Sequence, residues 1–289
     1  MSATQPVAVT EKEYARPGKR FPKEEVIFWI LAIVVAFFLL VPLYVLVKVS
    51  LSTLAQASAP SPSYLIHNPT LANWRRIMQW DNVRSPLMHS LIVATSTAIL
   101  GIIIAAPAAY VISRLPGQIR YTLILTILFT RMFPEVIIAT PIAERFFGWG
   151  LNDTNQGLIL AHLIRTLPLA AWILIGTFQV IPLDLEESSA VDGAGKLTTL
   201  LRVVMPLALP GIAVAAMFAW LDSWNDLLYA IYLFLVQRTL PLEVYYFANR
   251  GNVTDVATYS VMMTIPVIIV TLFLQRWIKS GYLSGAVKG

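Results

Sequence analysis

The chain contains no cysteine, and that absence removes disulfides, thiolate nucleophiles and cysteine-based metal sites together. Histidine is nearly as scarce. The three that occur, His67, His89 and His162, share no metal-ligand spacing and read as packing or loop residues. Charge is sparse too: 13% of the 289 residues are charged against 57% hydrophobic, far too apolar for a soluble domain. The net charge of +5 is scattered over the ends of apolar runs rather than gathered on one face, which excludes a nucleic-acid surface. No internal repeat of about 20–50 residues is evident, and no separate stretch is long enough to fold as a soluble domain.

What remains is long hydrophobic sequence. A window of about 19 residues finds runs that can cross a hydrocarbon core about 30 Å thick. There are six, near Val26–Val47, Met88–Ile112, Tyr121–Ala143, Gly157–Ile181, Leu207–Val236 and Tyr259–Ile278. They lack the alternation of membrane-barrel strands. The predicted fold is therefore all-α, with six transmembrane helices, because helices satisfy their own backbone polar groups in lipid. Ala55-Gln56-Ala57 mimics a signal-peptide cleavage site. However, the first run is longer than the usual ~7–15 residues of a signal peptide, and Glu11, Glu13, Glu24 and Glu25 precede it, so it reads as an uncleaved helix.

Six spans place both termini on one side. Lys12, Arg16, Lys19, Arg20 and Lys23 lie in the leading arm, Arg114 and Arg120 in the short second-to-third connection, and Arg276, Lys279 and Lys288 near the tail. The positive-inside rule predicts that all of these are cytoplasmic. Arg75, Arg76 and Arg84 oppose the bias, but from a long loop where charge counts less. The expected organisation is an N-terminal arm over 1–25, a six-helix domain over 26–278 and a cytoplasmic tail over 279–289.

One polar segment, Pro182–Gly211, is longer than a hairpin needs. Asp184 and Glu187 have the spacing of a helix cap and its N3 partner. Ala190, Val191, Ala194, Leu197, Leu200, Leu201 and Val204 recur near helical spacing, while Gly193 and Gly195 predict two short helices meeting at an Asp192-Gly193 turn. The apolar stripe either packs back on its own bundle or inserts into a partner's groove. Ala194-Gly195-Lys196 resembles part of a phosphate loop, but Leu197 replaces the required Ser/Thr and Ala190 stands in place of the first Gly. The chain therefore has no nucleotide cradle and no catalytic residues of its own.

Arg131, Arg165, Asp222 and Asp226 fall at predicted hydrocarbon depth, where a central charge costs about 2.5–3.5 kcal/mol on insertion scales. Asp222, Trp224, Asn225 and Asp226 offer carboxylates, an amide and a ring, groups able to hold sugar hydroxyls and stack on pyranose faces. The alternative is interhelical polar packing with a partner subunit, Arg165 with Asp222 for example. Pro107, Pro134, Pro141, Pro168 and Pro266 mark kinks inside spans.

Glu187-Ser188-Ser189, followed by Ala190-Val191-Asp192-Gly193-Ala194, Leu201, Pro206 and Pro210, resembles the EAA motif of permease subunits of bacterial and archaeal ABC importers. Ser-Ser replaces Ala-Ala, and Met205 precedes Pro206. The tail Gly281–Gly289, Met132-Phe133-Pro134, Trp224-Asn225-Asp226 and Leu71-Ala72-Asn73-Trp74 resemble carbohydrate-importer permeases similar to the smaller maltose-transporter permease. The resemblance implies a type I importer permease fold in a bacterial or archaeal cell membrane. It implies that Glu187, Ser188, Ser189, Asp192, Gly193 and Ala194 form a coupling element seated in an ATPase subunit, and that Lys288 and Gly289 reach the same ATPase. The implied partners are a second permease, two ATP-binding subunits holding ATP and Mg, an extracytoplasmic solute-binding protein and a sugar. This chain itself would bind no cofactor.

Among the alternatives, other solutes of similar importers include a glycerophosphodiester or an oligopeptide, and the Gly-Ala-Val-Lys-Gly tail disfavours the peptide. A stand-alone secondary transporter would need repeated halves and an ion site, and neither is visible. A non-transporting scaffold has no use for intramembrane Arg and Asp.

Overall fold

The computed structural model describes residues 23–61, 63–79, 81–250 and 252–286. The arm over 1–22 and the Lys288-Gly289 pair lie outside the described residues. Every regular element among those described is helical. The chain divides into two compact units after Val45. The first is the leading part of α1 (Lys23–Ser50), an apolar helix containing Pro42.

The second unit opens with α2 (Leu54–Ala57) and α3 (Ala72–Gln79), then α4 (Asp81–Ser113). Next come α5 (Gly117–Phe129), a 3₁₀ turn (Thr130–Met132) and α6 (Glu135–Gly148). The long α7 (Asn155–Gln179) leads into α8 (Leu183–Val191), α9 (Lys196–Thr199), a π turn (Leu200–Val204) and α10 (Met205–Leu207). Then follow α11 (Leu209–Trp224), α12 (Leu228–Leu233), α13 (Leu240–Ala248) and α14 (Val253–Ala286).

Four helices among the described residues are long and apolar enough to cross a membrane, and up to six spans result if each of two bent pairs counts as one. The bends correct the sequence reading. The run Tyr121–Ala143, expected as one kinked helix, folds back by 84° between Met132 and Glu135. Pro134 explains the break: it lacks an N–H and forces Phe133 out of the helical region, to φ −73°, ψ 135°. The run Leu207–Val236 is also not one helix. An 81° bend separates Leu207 from Leu209, and α11 then ends at Trp224, before α12. By contrast, Pro107, Pro141, Pro168 and Pro266 sit inside helices that continue through them.

Small residues set the spacing of the bundle. α4 packs most extensively along α7, and α11 lies against both. Ala105, Ala106 and Ala109 of α4 share a buried cluster with Ala170, Ala171 and Leu174 of α7, which lets the backbones approach closely. Gly211 does the same for α11: a Cβ there would lie 2.7 Å from the Thr177 Cβ of α7. At the opposite end from α8, Asp153 braces a loop by accepting backbone N–H bonds from Leu235, Val236 and Gln237 at 2.7–3.2 Å. Asn73, in the Leu71–Trp74 stretch, is buried and donates to the Ser50 and Ser52 carbonyls, which fixes α3. Nearby, burial pushes the Glu243 carboxyl above its ordinary range, and the adjacent Arg238 guanidinium draws part of that shift back.

Gly211→Ala should lower stability by about 1–3 kcal/mol through overpacking. Thermal unfolding in detergent measures this, and Thr177→Ala in the same chain should restore most of the loss. A Gly211→Ala protein as stable as the parent would contradict the close approach of α7 and α11.

Candidate functional site

Two groups of residues singled out in the sequence gather into two places. The first lies inside the bundle. Arg165 belongs to α7, which runs unbroken beside the interrupted pairs α5–α6 and α11–α12. Its Nη1 donates to Asp226 Oδ1 and its Nη2 to Asp222 Oδ1, each at 2.8 Å. Its Nε lies 3.1 Å from Glu135 Oε1, in ion-pair reach but not aligned as a hydrogen bond. Arg131 is farther out, 4.0 Å from Asp222 Oδ2. One guanidinium thus ties α6, α7 and α11 together. The suggested Arg165–Asp222 pairing exists, and it closes within this chain.

The helix break supplies the site's second layer. Between α11 and α12 the backbone loses its regular bonds, and Asp226 repairs part of the loss. Its Oδ2 accepts from the Tyr229 and Ala230 N–H groups at 3.1 and 3.3 Å. His162, one turn before Arg165 on α7, joins the same group. Its Nε2 lies 3.1 Å from Asp226 Oδ2, and its Nδ1 lies 2.7 Å from Ser223 Oγ. Two guanidiniums (Arg131, Arg165) face three carboxylates (Glu135, Asp222, Asp226), so with His162 neutral the cluster carries one excess negative charge.

The residues proposed for sugar contact divide. Trp224 is 1% exposed, stacks on Trp220 at 4.8 Å and donates its indole N–H to the Met263 carbonyl at 3.2 Å. Of the two readings left open for it, this burial favours interhelical packing over a stacking platform. Asn225 is exposed but donates back to the Leu221 carbonyl, terminating α11. Asp226 is fully enclosed. Instead a cavity of about 120 Å³ opens beside Arg131, Glu135, Arg165, Thr130 and Tyr229. Glu135 escaped the sequence reading, and His162, read there as a packing or loop residue, is buried beside the cluster. The available signals were the helical spacing of His162 and Arg165, and the charge directly after Pro134.

The second place is the Pro182–Gly211 segment. Its two helices meet as expected: Asp192 ends α8, and Gly193 takes φ +82°, a left-handed value that a side chain would strain. The cap differs. α8 begins after Pro182, so Asp184 lies inside the first turn, where its carbonyl accepts from Ser188 at 2.7 Å and its charge favours the helix N-terminus. Ser189 is buried and meets Thr199 Oγ1 at 2.8 Å, fastening α8 to α9. Adjacent acids face opposite ways. Glu186 turns inward to Arg114 and to Tyr110, whose hydroxyl donates at 2.6 Å. Glu187 is exposed, and its side chain makes no hydrogen bond or ion pair among the described residues. The apolar stripe divides as well: Leu200 and Val204 are buried, while Val191, Leu197 and Leu201 are exposed, Val191 by 88%. Ala194 sits at the turn between the two helices, its N–H donating to the Ser189 carbonyl at 3.0 Å.

Among the described residues, no cluster of His, Cys, Asp or Glu could hold a metal ion.

The chain is 35% identical over 226 residues to the trehalose transport permease SugB of Mycobacterium tuberculosis, covering 76% of this chain and 82% of that one. It is 30% identical over 231 residues to the trehalose/maltose transport permease MalG of Thermococcus litoralis, covering 77% and 83%. The fold resembles a chain of a bacterial ABC transporter that imports the acidic polysaccharide alginate. The TM-score is 0.71 at 23% identity, covering 89% of this chain and 98% of that one. A chain of the MetNI methionine transporter aligns with a TM-score of 0.57 at 21% identity, covering 71% and 97%. Residues 97–282 match the family of binding-protein-dependent transport system inner membrane components, and the chain belongs to that family of ABC-transporter permeases.

Proposed function

We propose that this chain is one of two permease subunits of an ATP-driven importer for a mono-, di- or oligosaccharide or a related polyol, in the inner membrane of a bacterium or archaeon. Each bent pair counts as one of six spans, and both termini face the cytoplasm, in keeping with the basic residues near Lys23, Arg114, Arg120 and Arg276. The α8–α10 segment then also faces the cytoplasm and seats in an ATP-binding subunit. The observation that carries this reading is the division of α8. One side is fastened to its own bundle through Glu186 and Ser189, and the other presents an unpaired carboxylate at Glu187 and an apolar knob at Val191.

ATP and Mg belong to the partner ATPases, two per complex, and Lys288 and Gly289, outside the described residues, are assigned a contact to them by the sequence resemblance alone. An extracytoplasmic solute-binding protein delivers the sugar to the face carrying α3 and α13. The cavity of about 120 Å³ falls below the ~300–1,000 Å³ of a complete small-molecule site, so this chain supplies one wall and the second permease supplies the rest. Arg131 and Glu135 line it and can exchange hydrogen bonds with sugar hydroxyls. The relatives named for trehalose and maltose support the substrate class.

Two outcomes test the proposal. Glu187→Lys should insert in the membrane with its partner permease but retain less ATPase, and uptake should fall; normal uptake in vesicles would exclude the docking role. Arg165→Ala should destabilise the bundle by about 3–5 kcal/mol, because Asp222 and the enclosed Asp226 lose their partner. Unfolding in detergent would show this, with Arg165→Lys falling between the two, and parental stability for Arg165→Ala would contradict the clamp.

A further inference from the structure

Glu186 has no part in the motif that marks the docking face, yet it ties α8 to the end of α4 by an ion pair and a hydrogen bond. Its two carboxylate oxygens are divided. Oε1 pairs with Arg114, the residue directly after the end of α4, and Oε2 accepts the Tyr110 hydroxyl one turn earlier at 2.6 Å. Arg114 also donates to the Ile181 carbonyl at 3.3 Å, immediately before α8 begins. Its guanidinium carbon lies 5.7 Å from the centre of the Tyr110 ring, and that ring meets Phe178 of α7 edge-on at 5.9 Å. The pair is largely shielded from water, with the Arg114 and Glu186 side chains 18% and 13% exposed. Shielding makes the ion pair less sensitive to screening than a surface pair.

The connectivity gives this contact a mechanical meaning. The covalent chain joins α8 to α7 on one side and, through α9 and the π turn, to α11 on the other. Neither path leads to α4. α8 packs closely on α9 and the π turn, whereas it reaches α4 through the side chains of Glu186, Arg114 and Tyr110. α4 in turn packs along α7 and α11 over most of its length. A displacement of α8 can thus reach α4 indirectly, through α7 and α11, and directly, through this carboxylate.

The geometry points to Glu186, Arg114 and Tyr110 as a positioning clamp that transmits movement of the docked α8 segment into α4. This deepens the reading that α8 seats in an ATPase subunit and rests on it. Glu187 would then grip the partner while Glu186 grips the bundle, so two adjacent acids separate docking from transmission. The Glu186 contact is charge-assisted and bidentate across two residues, which fixes direction as well as distance.

The experiment uses the complete transporter, with both permeases, the ATPases and the binding protein, in proteoliposomes. ATPase co-purification, ATP hydrolysis and sugar uptake are measured on the same preparations. Glu186→Gln should keep the ATPase bound and hydrolysing but lower the sugar moved per ATP roughly tenfold, within the range of coupling between sites. The swapped pair Arg114→Glu with Glu186→Arg should recover part of the loss, which a merely packed residue would not allow. Tyr110→Phe removes one hydroxyl and should lower the ratio less, so it serves as the test if Glu186→Gln does not assemble. An unchanged ratio in Glu186→Gln, or in Tyr110→Phe where that variant is needed, would overturn the clamp. Loss of the ATPase from Glu186→Gln would overturn it too, making Glu186 a docking residue. Failure of the docking reading looks different: Glu187→Lys would then retain ATPase and transport normally.

Discussion

Arg165 is the interaction on which the interior of this bundle depends. The segments on either side of it are broken, α5 from α6 by the 84° turn at Pro134 and α11 from α12 by the gap after Trp224. Broken helices expose backbone groups, and in a low-dielectric interior these must find partners. Asp226 satisfies two of them, and its charge is compensated chiefly by Arg165, 2.8 Å away. The same guanidinium reaches Asp222 and Glu135, so one side chain on an unbroken helix fixes the ends of two interrupted ones. Its removal would leave three carboxylates without their principal cation.

A second ionic contact, Glu186 with Arg114, joins α8 to the end of α4. Between the two runs the alanine seam of α4 and α7, where Ala105, Ala106 and Ala109 meet Ala170 and Ala171. Close-packed small residues leave little room for compression, so α4 and α7 move together or not at all. This arrangement suits the rigid-body rocking that the proposed function requires, in which force would enter at α8 and the wall beside Arg131 and Glu135 would tilt. Hydrolysis and recognition can then occupy different chains, with this one as the lever between them.

The parts legible in the sequence were those with local chemical causes. Apolar length marked the spans, Gly193 marked the turn now found at φ +82°, and the cost of burying charge marked Arg165 and Asp222 as partners. The hidden parts depend on tertiary direction. Glu186 and Glu187 are neighbours with the same side chain, and nothing local says which one faces Arg114. Trp224 looked like a sugar platform because an aromatic beside an amide and an acid has that chemistry, but its ring is used in stacking on Trp220. Pro134 announced a disturbance without its size, since prolines at 107, 141, 168 and 266 are absorbed within continuous helices.

The absence of native cysteine makes the central claim directly measurable. Val191→Cys places one thiol on the most exposed apolar knob of α8, at a position 88% exposed in this chain. In the isolated permease pair that thiol should react rapidly with a water-soluble maleimide. On addition of the ATPase subunits it should become protected, if α8 is the surface through which hydrolysis acts on the bundle. Equal labelling rates with and without bound ATPase would contradict that role.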